Sequence, residues 1–317
     1  MFKDTAMNSP MRILIAYDGS ESANIALKEL HRAYLPHQAQ AIVTTIVETW
    51  LPLPPSYANA TEDLSDSFPY NFEGARAMAA RACEQLRTQF PQWDLHSHLH
   101  VGSPASVLIK KAASWQADLI VVGTHGRSAL GRFLLGSVSQ KVLTGAQCSV
   151  RIARQLLRSD TAMRILIGVD GSASAVAAAQ AVTARSWPAG SEVRLVTAIG
   201  PFSLADANLN LMFRTVGLES TEEFKKAELD FAYKSQQRLE PELSAAGLKI
   251  SKIVKQGDPK HLLLAEAQTW KADTIFLGST GLGRLERFLL GSVSAAVAAR
   301  AHCSVEIVRT NSLLTKV

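Results

Sequence analysis

The chain has 317 residues, 47% hydrophobic and 19% charged, a balance that fits packed globular domains and excludes a low-complexity or disordered polymer. Its 33 Lys and Arg against 28 Asp and Glu leave a formal charge of +5, but the basic residues form no long run and no aromatic and basic recognition motif, so nucleic acid is not an expected partner. No apolar run approaches the roughly 20 residues that span a bilayer, and the polar opening, Met1 to Pro10, lacks the apolar core of a signal peptide; a cytoplasmic protein with no membrane partner is expected.

In chain order, residues 11–17 form an apolar run that ends in Asp18-Gly19-Ser20, and residues 22–34 carry apolar side chains at helical spacing, so a strand leads into a helix. A strand is predicted at 41–47. The connection at 50–72, rich in proline and aromatics, has the length of a ligand- or partner-covering segment or of a plain variable surface loop. Helix 74–90, strand 96–101, helix 105–115, strand 119–122, helix 138–143 and strand 149–153 complete the first half. After a linker at 154–162 the order repeats from the strand at Arg164: strand 193–199, a second long connection at 200–221, helix 222–246 and strand 250–255. Helix 261–270, strand 274–277, helix 294–300 and strand 305–308 follow.

Strictly alternating strands and helices require crossover connections. The predicted fold class is therefore α/β, with two repeated doubly wound domains at 11–155 and 163–309, each a five-stranded parallel sheet with helices on both faces. The interior strands are nearly all apolar, as sheets covered on both faces must be. The last strand of each half differs: Val150 and Ile152 alternate with Arg151, and Val305 and Ile307 with Glu306. Alternation predicts an edge strand, and pairing of two such edges would make an intrachain pseudo-dimer or, between chains, a homodimer. The three cysteines, Cys83, Cys148 and Cys303, form no Cys-x-x-Cys pair and leave an odd count, so they are expected to be small buried hydrophobes.

The halves are copies of one another. Gly123-Thr124-His125-Gly126, nine residues and Gly136-Ser137-Val138-Ser139 return as Gly278-Ser279-Thr280-Gly281, nine residues and Gly291-Ser292-Val293-Ser294. Arg12-Ile13-Leu14-Ile15 with Asp18-Gly19-Ser20 returns as Arg164-Ile165-Leu166-Ile167 with Asp170-Gly171-Ser172. The shift is 152 residues at Arg12 and 155 at Gly136, a domain-sized period and far too long for a solenoid unit.

The glycine motif has a chemical reading. Gly123 ends a strand and Gly126 follows a sharp reversal, where backbone can approach a ligand closely. Gly136 and Ser137 open a helix whose unpaired N–H groups and positive dipole end favour an anion. Ser137 and Ser139 add hydroxyls there, and His125, Arg127 and Arg132 add positive charge; Ser292, Ser294, Arg284 and Arg287 do so in the second half. A capping glycine and serine in a tight turn is the alternative, which retention of the whole spacing in both copies disfavours. Asp18 and Asp170 end the first strands at the carboxyl edge, where a carboxylate accepts hydrogen bonds from a ribose hydroxyl or an adenine amine. Capping a helix is the less favoured alternative for each, and Asp18 with Glu21 has the form of a capping box.

These motifs resemble the UspA-like universal stress protein family, in its ATP-binding type and in tandem, across nearly the whole chain. The resemblance implies a Rossmann-like, adenine nucleotide alpha hydrolase-like fold and a stress-response or signalling module that binds an adenine nucleotide, ATP, ADP or AMP. Any Mg would enter through the phosphates. Carried over by position, the nucleotide contacts of the first half are Asp18, Ile46, Val122, Gly123, His125, Gly126, Gly136, Ser137, Val138 and Ser139. In the second half they are Asp170, Ala198, Leu277, Gly278, Thr280, Gly281, Gly291, Ser292, Val293 and Ser294. Thr280 stands for His125 and Leu282 for Arg127, so the second site is expected to bind more weakly or to prefer a different phosphate count.

Other nucleotide chemistries lack their residues. No Gly-x-Gly-x-x-Gly follows either first strand, and the stretch 131–137 lacks the lysine of a Walker loop. No His, Cys or carboxylate cluster has metal-ligand spacing, and no nucleophile with a base stands out, so no catalytic residue is assigned. Slow ATP hydrolysis is one alternative function. A partner-binding scaffold with empty sites, working through the loops at 50–72 and 200–221, is the other.

Overall fold

The apolar runs become buried parallel strands. The computed structural model describes residues 10–48, 72–126, 135–154, 161–200, 221–282 and 290–309. The connections predicted at 50–72 and 200–221, apart from Phe72, Gly200 and Thr221, and Arg127, Arg132, Arg284 and Arg287 lie outside these segments. The first repeat runs β1 (Met11–Ala16), α1 (Glu21–Glu29), β2 (Ala39–Val47), α2 (Glu73–Gln89), β3 (Asp94–Val101), α3 (Pro104–Ser114), β4 (Leu119–Val122), α4 (Ser137–Gly145) and β5 (Ser149–Ile152). The second begins β6 (Arg164–Gly168), α5 (Ala173–Thr183), β7 (Glu192–Ile199), α6 (Thr221–Gln237), α7 (Glu240–Ala245) and β8 (Lys249–Gln256). It ends with α8 (Pro259–Trp270), β9 (Thr274–Gly278), α9 (Ser292–Arg300) and β10 (Ser304–Val308).

Strand order is the same in both repeats: β3-β2-β1-β4-β5 in the first, β8-β7-β6-β9-β10 in the second. β1 lies parallel to β2 and β4, with Ile13 opposite Ala41 and Leu119, and β6 lies parallel to β7 and β9, with Ile165 opposite Val193 and Thr274. Consecutive residues point to opposite faces of a strand. Ile13, Leu14 and Ile15, and likewise Ile165, Leu166 and Ile167, are all 0% exposed, so helices cover both faces of each sheet. The first strand of each repeat is thus central, and its carboxyl end meets that of the fourth strand. The described residues form two compact units that divide between Val150 and Arg151, with Leu135 assigned to the second.

One predicted helix is two. The periodicity at 222–246 suggests continuity, but α6 stops at Gln237 and α7 restarts at Glu240, because Pro241 in the first turn of α7 has no N–H to extend the α6 ladder. Two buried side chains hold α6 in place: Glu228 Oε1 accepts from Gly200 N at 2.7 Å, and Gln236 Nε2 donates to Thr197 Oγ1 and Ile253 O, each at 2.9 Å.

Arg151 and Glu306, the polar members of the alternating last strands, are not solvated. Both are buried, and Arg151 Nη1 donates to Glu306 Oε2 at 3.1 Å. Arg185 pairs with the other carboxylate oxygen and lies 4.8 Å over the Phe276 ring. Arg154 closes the end of α9 by donating to Ala298 O at 2.5 Å and Cys303 O at 3.3 Å. The three cysteines are free and buried, as expected of small hydrophobes. Among the described residues, no helix is long and apolar enough to cross a membrane.

Candidate functional site

The site is built where β1 and β4 end side by side, starting from the turn after β1. Asp18 Oδ1 accepts from Ser20 N at 2.9 Å, and Ser20, not Asp18, caps α1: its Oγ accepts from Ala23 N at 3.2 Å. The capping box read at Asp18 and Glu21 is therefore replaced by a serine cap that the aspartate braces. In the second repeat Asp170 Oδ1 accepts from Ser172 N at 3.0 Å and Ser172 Oγ at 2.6 Å, and Ser172 caps α5 through Ala175 N at 3.1 Å.

The loop after β4 is tied to α1 by a residue the sequence analysis missed. Ser22 Oγ accepts from Thr124 N at 2.7 Å and His125 N at 3.1 Å. Both lone pairs being used, its own hydrogen goes to Thr124 Oγ1 at 3.0 Å, and the threonine hydroxyl is hydrogen-bonded to His125 Nδ1 at 2.9 Å. This chain of contacts fixes the plane of the His125 ring through Nδ1. His125 Nε2 is buried and has no hydrogen-bond partner.

The glycines of this loop are needed for space. A Cβ on Gly123 would stand 2.5 Å from Ser22 Oγ and 2.8 Å from its backbone carbonyl carbon; one on Gly278 would stand 2.4 Å from Ser174 Oγ. At Gly126 it would meet Asp18 Oδ2 at 3.1 Å and at Gly281 Asp170 Oδ2 at 2.9 Å, so each aspartate faces the last glycine of its loop.

Beyond the loop, Gly136 N donates to Thr124 O at 2.7 Å and Ser139 Oγ to Gly123 O at 2.8 Å, docking the start of α4 on the loop. Gly291 N and Ser294 Oγ make the same contacts to Ser279 O and Gly278 O, each at 2.7 Å. Gly136 and Gly291 precede their helices without a side-chain cap, in contrast to Ser20 and Ser172, while Ser137 and Ser292 are exposed in the first turn. An uncapped first turn leaves N–H groups and the positive dipole end open to an anion.

The structure thus brings Asp18, Gly123, His125, Gly126, Gly136, Ser137 and Ser139 together, and Asp170, Gly278, Thr280, Gly281, Gly291, Ser292 and Ser294 likewise. Val122 and Leu277 are buried at the ends of β4 and β9, and Val138 and Val293 are half-buried in the first turns of α4 and α9. Ile46 and Ala198 lie one strand further out, opposite His100 and Lys255 near the ends of β2 and β7. Ser139 and Ser294 spend their hydroxyl hydrogens on the loop carbonyls and so hold the helix in place. The signal for Ser22 was present: Asp-Gly-Ser-x-Ser occurs at Asp18 to Ser22 and again at Asp170 to Ser174. Among the described residues no group of three or more His, Cys, Asp or Glu could hold a metal ion.

The model of the universal stress protein family matches this chain twice, over residues 10–154 and 161–309. The chain belongs to the universal stress protein family. It is similar to a universal stress protein of Mycolicibacterium smegmatis, 28% identical over 312 residues that cover 94% of this chain and 96% of that protein. A universal stress protein of Thermus aquaticus is 36% identical over 148 residues, 45% of this chain and 97% of the relative, so one repeat here corresponds to a whole family member there. A crystal structure of a universal stress protein from Archaeoglobus fulgidus has the same fold, with a TM-score of 0.60 at 21% identity over 95% of this chain and 98% of that one.

Proposed function

We propose that each repeat, within 11–155 and 163–309, binds an adenine nucleotide at the carboxyl edge of its sheet, as the ligand-responsive part of a stress-response protein. One observation carries the reading: the buried His125 Nε2 has no protein partner and stands in the loop on which the uncapped α4 is docked. A phosphate oxygen satisfies both, since it accepts from the ring when Nε2 carries the hydrogen and from the open N–H groups of the helix. Asp18, facing Gly126, is placed to accept from a sugar hydroxyl or a base amine, and the motif spacing, held in both halves, is that of the family's ATP-binding type.

Calorimetric titration of ATP, with native mass spectrometry of the freshly purified protein, tests the reading. A Cβ on Gly136 would stand 3.3 Å from His125 Cα and 3.4 Å from Thr124 O, so Gly136→Val with its two further methyls crowds the loop against α4. The wild type is expected to take two nucleotides per chain and Gly136→Val one, with the far-ultraviolet spectrum unchanged. Unchanged stoichiometry in the variant, or no bound nucleotide in either protein, overturns the assignment.

A further inference from the structure

Helix α6 lies across the turn that holds Asp170. Between its two anchors, Glu228 and Gln236, the side chains of Phe231 and Ser235 sit one helical turn apart and both reach Gly171. Gly171 has φ +83°, and a Cβ there would stand 2.6 Å from Phe231 Cζ and 2.9 Å from Ser235 Oγ. Conformation and space both forbid a side chain at this position, so the ring rests on bare backbone beside Asp170. Phe231 is nevertheless 38% exposed; it and Tyr233 are the exposed large hydrophobic side chains among the described residues. A ring seated on one side and wet on the other, next to a carboxylate at the carboxyl edge of a parallel sheet, is a platform for the π-face of a base.

We propose that Phe231 is the base-stacking wall of the second site and makes that site selective for an aromatic base over a bare sugar phosphate. This rests on the nucleotide-binding reading above. The second repeat lacks the histidine that the first has in its loop, Thr280 standing in its place, so base contacts carry a larger share of recognition there.

The test uses the full chain carrying Gly136→Val to silence the first site, with AMP and ribose 5-phosphate titrated separately by calorimetry. Phe231→Ala in that background is expected to weaken AMP about tenfold, or about 1.4 kcal/mol, and to leave ribose 5-phosphate within about twofold. Phe231→Trp is expected to keep or raise AMP affinity. Unchanged or tighter AMP binding in Phe231→Ala overturns the wall, the tighter case marking the ring as a plug, and equal loss of both ligands overturns it as a merely structural effect. If the Gly136→Val protein with Phe231 intact binds neither ligand, the nucleotide-binding reading itself fails for the second site, and the wall with it.

Discussion

Ser22 and Ser174 hold equivalent positions and use their hydroxyls in opposite senses. Ser22 accepts from two loop N–H groups, whereas Ser174 donates to the carbonyl of Thr280, and Ser279 N turns instead to Val308 O at 3.0 Å. The relay that fixes the His125 ring in the first repeat needs a second hydroxyl and a ring nitrogen, and Thr280 offers no nitrogen. The two loops therefore differ at the atoms that would meet a phosphate, although their glycines agree. Crowding predicts an order of costs within the first loop. Gly123→Ala forces its methyl against the backbone of Ser22, which cannot swing away, and is expected to cost about 1–3 kcal/mol. Gly126→Ala meets only the Asp18 carboxylate at 3.1 Å and should cost less. Denaturant midpoints of the two variants check this; an equal or reversed order would show that helix α1 yields readily. The glycines and the aspartates were legible in the sequence because they recur at fixed spacing, and Ser22 was equally legible in the repeated Asp-Gly-Ser-x-Ser. Phe231 was not, since nothing in the sequence says that α6 crosses the Asp170 turn.

At the scale of elements, β7, β8 and α8 are joined by one carboxylate. Glu266 of α8 accepts from Arg194 of β7 at 2.6 Å and Lys255 of β8 at 3.0 Å, and the Arg194 guanidinium lies 4.3 Å over the Trp270 ring. Burial pushes the Glu266 carboxyl up, but the bonds from Lys255 and Arg194 outweigh it and leave its pKa below the ordinary value. A carboxylate with a lowered folded-state pKa stabilises the fold above its unfolded pKa, about 4.3, and that stability is lost as pH falls through the folded value. Glu266→Gln is therefore expected to lower stability by about 1 kcal/mol near neutral pH, where the pair is partly solvated, and the gap to the wild type should close toward pH 3. Thermal melts of both proteins at the two pH values measure it; a gap that persists in acid would assign the loss to packing. Element order and strand identity could be read from hydrophobic runs and the alternation rule, whereas the central place of β1 and β6 came only with the structure. The break between α6 and α7 was readable only by letting Pro241 override an unbroken apolar periodicity.

At the scale of the whole molecule, duplication leaves the two compact units with different interiors. The second unit buries a charge network, Arg151, Glu306 and Arg185, in which a single carboxylate serves two guanidinium groups. Removing the shared anion takes the ion pair from two buried guanidinium groups, so Glu306→Ala should destabilise by about 3–5 kcal/mol, a far larger loss than the surface pair of Arg87 and Glu84 would give. Differential scanning calorimetry that follows the two units separately would show the loss in the second; a shift below about 1 kcal/mol would mean that water enters and solvates the arginines. Sequence alternation at Arg151 and Glu306 was visible, but alternation reports only that every second side chain is polar. Whether that side chain meets water or a buried partner depends on contacts made between residues 155 positions apart.

The buried thiols give the molecule a built-in clock. Cys83, Cys148 and Cys303 are all shielded, and burial pushes the Cys303 thiol up to about 12, so almost none of it is thiolate at neutral pH. Alkylation, which needs the thiolate, must wait for the surrounding structure to open. Two of these sulfurs report on the first repeat and one on the second, so the order in which they are labelled records which copy of the duplicated fold breathes first.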